Sequence, residues 1–142
     1  MICLFCLHEA QDKALIIKEY KYWRIFVDDV QMTLGNCLIA SNDHVEKLIQ
    51  LSNECLAELP QVITALEAAL EAVFQPDKIH YWMINNFTSH VHFNVVPRYR
   101  TERTFGGISW SDPRWGKAPD YPRELCGKEP LATIQAAIRG YL

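Results

Sequence analysis

Two periods alternate along the chain. Residues 22–27 are dense in aromatic and β-branched side chains and stop at Asp28-Asp29, and residues 36–40 form a short apolar run behind Gly35. Such runs, bounded by turn formers, predict neighbouring antiparallel strands joined by a turn over residues 29–35. From Ser41 the pattern shifts: Val45, Leu48 and Ile49 stand at helical spacing behind three residues that can cap a helix, Ser41, Asn42 and Asp43, so a helix is predicted there. A longer helix is predicted from about residue 54 to 74, with Leu59, Val62, Ile63, Leu66, Leu70 and Val73 as its apolar stripe and Pro60 as a kink or a fresh first turn. Gln75-Pro76-Asp77 ends it. Residues 79–84 and 91–96 return to the strand pattern across the polar stretch 85–89, which predicts a hairpin. Beyond Pro97 the chain is loop-like, punctuated by Gly106-Gly107, Pro113, Gly116, Pro119 and Pro122, until residues 131–138 resume a helical pattern. Trp110, Trp115 and Tyr121 in that stretch either pin it to the body or stack on a base. The whole reads as mixed α and β, with at least four strands.

Composition narrows the class. At 142 residues, 49% hydrophobic and 22% charged, the chain is long enough for one domain with a real core, and it is neither disordered, collagen-like nor coiled coil. No repeat or linker divides it, so a single domain is expected, with a core over about residues 1–100 and an extension over about 101–142. The formal net charge of −3 supplies no overall positive field for a nucleic-acid backbone or an anionic membrane. Any anionic ligand must therefore be met by local donors. Lys, Asp, Glu or Asn interrupts every apolar stretch within a few residues, and no basic segment leads into an apolar run at the N-terminus, so a cytoplasmic protein is expected. Five cysteines are an odd number, and in a reducing compartment such thiols are buried, metal-bound or reactive more often than paired. Cys3 and Cys6, in C-x-x-C spacing, are candidate ligands.

The chemistry concentrates on one predicted strand. His90, His92 and Asn94 are two residues apart and leave the same face about 6–7 Å from one another, while Val91, Phe93 and Val95 turn the other way. Read alone, this row is either a solvated sheet face or a site. The run His-Val-His-Phe-Asn-Val-Val-Pro-Arg-Tyr over residues 90–99 resembles the signature of the histidine triad (HIT) family, in which three histidines alternate with hydrophobic residues and a Pro-Arg pair often follows. The segment 35–44, ending in His44, resembles the strand that precedes the first helix in that family, and Cys3-Leu4-Phe5-Cys6 resembles its N-terminal cysteine pair. Order and rough spacing agree from residue 3 to about residue 99.

That resemblance implies an α+β fold with an antiparallel sheet of about five strands and two main helices, a homodimer, and activity on phosphate esters or anhydrides of nucleotides, such as dinucleoside polyphosphates. It makes His92 the nucleophile, oriented through its other ring nitrogen by the main-chain carbonyl of His90. A neutral imidazole, with an ordinary pKa near 6.5, suits attack on phosphorus. Ser89, Thr88, Asn86 and Asn94, with Arg98 as a charge, are candidate donors to the nucleotide's phosphates, although Ser89 and Thr88 equally suit ordinary turn chemistry. Asp28 matches the position whose carboxylate or amide holds ribose hydroxyls in relatives, and Phe26 and Ile39 are candidates for the base cleft or, more simply, for the core. Asn94 departs from the commonest pattern, which has a third histidine. A carboxamide donates a hydrogen bond to a phosphoryl oxygen but gives up no proton at neutral pH, so help to poor leaving groups would be lost. The resemblance also implies a structural zinc on Cys3, Cys6, His44 and His90; otherwise the thiols pack as small hydrophobes and His44 is a helix-start residue. His8 and His80 have no evident partner. Beside the enzyme stand two alternatives, a nucleotide-binding module without turnover and a zinc-stabilised interaction protein.

Overall fold

The computed structural model describes residues 3–8, 10–121 and 124–142. Five strands, β1 (Ile16–Glu19), β2 (Trp23–Val27), β3 (Cys37–Ser41), β4 (Lys78–Trp82) and β5 (His92–Arg98), form one sheet in the order β1-β2-β3-β5-β4. Every neighbouring pair is antiparallel, as the resemblance implied. A short helix α1 (Ala10–Ala14) precedes β1, α2 (Asn53–Phe74) connects β3 to β4, a two-stranded ribbon β6 (Arg103–Phe105) and β7 (Ile108–Trp110) follows β5, and α3 (Lys128–Arg139) ends the chain.

Strand alternation divides the sheet into two unlike faces. Trp23, Ile25, Val27, Cys37, Ile39 and Val95 point to the face covered by α2 and α3, where they meet Val62, Leu66, Leu70, Ile134 and Ile138 in the main core. Phe26, Leu38 and Ala40 point the other way into a small second cluster with Phe5. Register then places the chemistry: Ala40 lies opposite His92, Leu38 opposite Asn94, and Asn94 opposite Trp82, so both polar residues stand on the face away from the helices.

The long helix forms where its stripe predicted. The Oγ of Ser52 accepts the Cys55 N–H as its N-cap, and Gln75, at φ +47°, closes it by donating to Glu71. Pro60 lies within the helix without ending it, on the solvent side, where water can satisfy the carbonyl its missing N–H leaves free. The helix predicted from Ser41 is replaced by a single 3₁₀ turn, Leu48–Gln50. Ser41 extends β3 instead of capping, the Val45 carbonyl accepts the Val91 N–H, and Ile49 is 88% exposed. Tying residue 45 to the entry of β5 holds that stretch extended, and tertiary pairing overrides the local helical period. Gly35, at φ +87°, ends the turn before β3; a Cβ there would meet the Phe74 ring at 2.8 Å.

Candidate active site

His92 is 8% exposed, and its Nδ1 lies 2.6 Å from the His90 carbonyl oxygen. A carbonyl only accepts, so Nδ1 carries the proton and Nε2 keeps its lone pair. Burial pushes the His92 pKa below the ordinary value and the His90 carbonyl contact opposes that only in part, which favours the neutral ring. Phe5 packs against it at 4.7 Å between ring centroids.

His90 stands two residues before β5 and is fixed the same way. Its Nε2 lies 2.7 Å from the Ser41 carbonyl oxygen, to which it donates, so Nδ1 is free to bind. That nitrogen is 3.3 Å from Cys3 Sγ, 3.8 Å from Cys6 Sγ and 3.2 Å from His44 Nδ1, and Cys6 Sγ is 3.3 Å from His44 Nδ1. The ligand atoms of all four residues lie within 4.8 Å of one another. Ligands about 2.0–2.3 Å from a tetrahedral ion stand about 3.3–3.8 Å from each other, so this donor set fits a metal such as zinc. Burial first, then the neighbouring Cys3, pushes the Cys6 thiol up to about 11, and a cation among these ligands would reverse that.

Below these groups opens a cleft of about 200 Å³. His92 and Asn94 form its floor, Asp28 and Asp29 one side, Leu4, Phe5 and Leu38 an apolar wall, and Trp82 with the 84–88 segment the opposite side. Asp28 is held at the end of β2 by the Val30 N–H at 3.0 Å and the Asn36 Nδ2 at 2.7 Å. Gln31 braces that turn, accepting from the Gly35 and Asn36 amides and donating to the Asp28 and Asn36 carbonyls. Burial raises the Asp28 carboxyl to about 7, with the Asp29 charge adding and the Val30 and Asn36 donors opposing.

Of the candidate phosphate donors, Asn86, Thr88 and Asn94 line the cleft and Ser89 is exposed outside it. Arg98 is corrected. It lies on the His92 face but six residues along β5, about 20 Å away at strand rise, and all five of its N–H groups are taken. Nε and Nη2 grip Asp112 at 2.6 and 3.0 Å, Nη2 also reaches the Arg114 carbonyl, and Nη1 reaches the Lys117 carbonyl and His80 Nδ1. It clamps the C-terminal extension and meets no ligand in the cleft. His80, without an evident partner in the sequence, is the acceptor of that contact. Ile39 is core, Phe26 belongs to the second cluster, and Leu38 takes the cleft position between them. Sequence reasoning missed Leu4, Phe5, Met32, Trp82, Ile84, Asn85 and Phe87 as lining residues, and of the two readings left open for Tyr121 the structure places it in the cleft lining. Leu4 and Phe5 had a signal, since they sit between the two cysteines that meet His90; Trp82 shares strand parity with His80.

A family model described as the HIT domain matches residues 9–101. The chain belongs to the histidine triad (HIT) family. Among relatives, it is 26% identical over 124 residues to the adenosine 5′-monophosphoramidase of Schizosaccharomyces pombe, covering 86% of each chain. Among solved structures, a hypothetical histidine triad nucleotide-binding protein of Sulfolobus tokodaii matches with a TM-score of 0.75 at 19% identity, covering 98% of this chain and 91% of that one. A zinc-bound histidine triad family protein of Mycobacterium smegmatis matches with a TM-score of 0.62 at 22% identity, covering 96% and 92%. Members of this family act on nucleotides as hydrolases or transferases. Among the described residues no helix is long and apolar enough to cross a membrane.

Proposed function

We infer that the protein is a nucleotide phosphohydrolase or nucleotidyl transferase that works through a covalent nucleotidyl-histidine intermediate on His92. The carrying observation is the 2.6 Å contact from His92 Nδ1 to the His90 carbonyl, which leaves Nε2 unprotonated at the floor of a cleft. Nε2 attacks the α-phosphorus, the P–O or P–N bond to the leaving group breaks, and water or another acceptor then displaces His92 to release the nucleotide. Asn94, Asn86 and Thr88 offer hydrogen bonds to the non-bridging oxygens, and ionised Asp28 accepts from the ribose hydroxyls. Asn94 has no proton to give, so phosphate, pyrophosphate and nucleotide leaving groups, which need none, are favoured. Dinucleoside polyphosphates meet that requirement. The phosphoramidase activity named for the yeast relative supports the same chemistry at phosphorus.

Cys3, Cys6, His44 and His90 would hold a structural zinc, supported by their tetrahedral spacing and by the zinc-bound relative of the same fold. It would supply folding energy and fix the N-terminal segment beside the nucleophile strand. The family resemblance supports a homodimer. Residues 1–142 read as one such domain, with the extension beyond about residue 100 packed onto it.

Incubation with dinucleoside polyphosphates, with and without inorganic phosphate as acceptor, should release a mononucleotide from wild type and none from His92→Ala. Equal turnover by both proteins would overturn the assignment. Asn94 favours a second reading, a nucleotide-binding module without turnover; mononucleotide binding by calorimetry with no release from any substrate would establish it.

A further inference from the structure

The C-terminal extension crosses the catalytic face of the sheet. At one end Asp112 is buried on Arg98 at the far end of β5, with side-chain exposures of 2% and 1%. Lys117 and Ala118 border a hollow shared with Lys78 and His80, and Pro119 is buried. At the other end the Cys126 N–H donates to the Asp29 carbonyl at 2.7 Å, beside Asp28. Between these anchors Tyr121 lines the cleft and meets Phe87 of the opposite wall, with ring centroids 6.1 Å apart and planes inclined at 41°. Both rings are largely uncovered: Phe87 is 75% exposed and Tyr121 49%. Two aromatic rings from distant segments thus meet at the mouth of the cleft.

We propose that Phe87 and Tyr121 are specificity-determining residues that stack on a second nucleobase, the one carried by the leaving half of a dinucleoside polyphosphate. This rests on the reading of the cleft as a nucleotide site. At about 200 Å³ the cleft is smaller than the roughly 300 Å³ or more that encloses a drug-sized ligand, so it has no room for both halves of a dinucleoside polyphosphate and the departing half projects through the mouth. Asp28 and Asp29 are the charged residues lining the cleft and offer no cation to the leaving half's phosphates, so its neutral ring is the part the mouth can hold. One flat ring fits between two parallel ones separated by about 7 Å, at van der Waals distance from each, so the pair must part by about 1 Å between centroids and turn through their 41° inclination to take it. A substrate without that second ring gains nothing from the pair.

The test is calorimetric binding of a non-hydrolysable, methylene-bridged dinucleoside polyphosphate and of the matching mononucleotide, run as adenine and guanine sets. Wild type, Phe87→Ala, Tyr121→Ala and Tyr121→Phe are compared. One stacked base is worth between about fivefold and a hundredfold in affinity. Wild type should therefore prefer the dinucleoside by about that factor, Tyr121→Phe should keep the preference, and both alanine variants should collapse it toward unity. A wild-type ratio near one, or a ratio unchanged in both alanine variants, overturns the stacking role while mononucleotide binding leaves the cleft assignment standing. Binding of neither ligand by wild type overturns both.

Discussion

Asp28→Asn should stabilise the folded protein above neutral pH while weakening nucleotide binding. The carboxyl is 3% exposed and its pKa is raised from 3.8 to about 7, chiefly by burial. A carboxyl with a raised folded-state pKa binds more protons in the native state than in the unfolded state between those two values. Stability therefore falls as pH rises through that window, by up to about 1.4 kcal/mol per unit, and levels off above about 7. Summed over that window the penalty is about 4 kcal/mol at pH 8. Asparagine keeps the acceptor for the Val30 amide and removes the charge. Its new N–H₂ also finds a partner, because Asn36 Oδ1 is a buried acceptor with none and a rotated Asn36 amide presents it. Urea unfolding of both proteins from pH 4 to 9 measures the effect. The variant's advantage should be near zero at pH 4, grow to pH 7 and then stay flat; a pH-independent difference, or a variant less stable than wild type at pH 8, refutes the reasoning. Mononucleotide affinity should fall in the same variant, because an amide accepts ribose hydroxyls less well than a carboxylate.

Three further outcomes follow from the same geometry. Elemental analysis of protein purified without chelator should find about one zinc per chain in wild type and none in Cys6→Ser, with a lower Tm in the variant; wild type free of metal would remove the zinc assignment. Asn94→Ala should leave mononucleotide binding largely intact and cost about 1–3 kcal/mol in kcat/KM, whereas Asn94→His should gain selectively on substrates with amine or alcohol leaving groups; an equal gain on all substrates would count against the missing proton donor. Arg98→Ala leaves the Asp112 carboxylate buried without its partner and should cost about 3–5 kcal/mol of stability in urea unfolding; a change under 1 kcal/mol would show that the clamp does not hold the extension.

The elements with strong local periods were legible in the sequence. The α2 stripe and the strands β2 to β5 were each readable within a few residues, because apolar spacing and burial agree along them. β1 was not, since Ile16 to Glu19 is four residues long, carries two charges at its end and pairs across an irregular register. The β6–β7 ribbon hid in its Gly106-Gly107 turn, where both residues have positive φ. In the site, the His90-His92-Asn94 row and the cysteine spacing carried their own chemistry, and the register of the sheet brings them together with His44 and Asp28. Arg98 misled because its place in the Pro-Arg pair says nothing of distance along a strand; only Asp112, fourteen residues on, shows where its charge goes. Tyr121 was ambiguous for the same reason, being a single aromatic in a tail whose course depends on that clamp. Asn85, at φ +52° with a buried Oδ1 that has no partner, is a cleft residue that only the backbone conformation reveals.

The central claim is the covalent role of His92, and rapid acid-free quenching followed by intact-protein and peptide mass spectrometry tests it most directly. With a dinucleoside polyphosphate, wild type should show the mass of one nucleotidyl group on the peptide that carries His92, and His92→Ala should show none while still binding mononucleotide. A nucleotidyl adduct on any other residue, or turnover by His92→Ala at the wild-type rate, would contradict it.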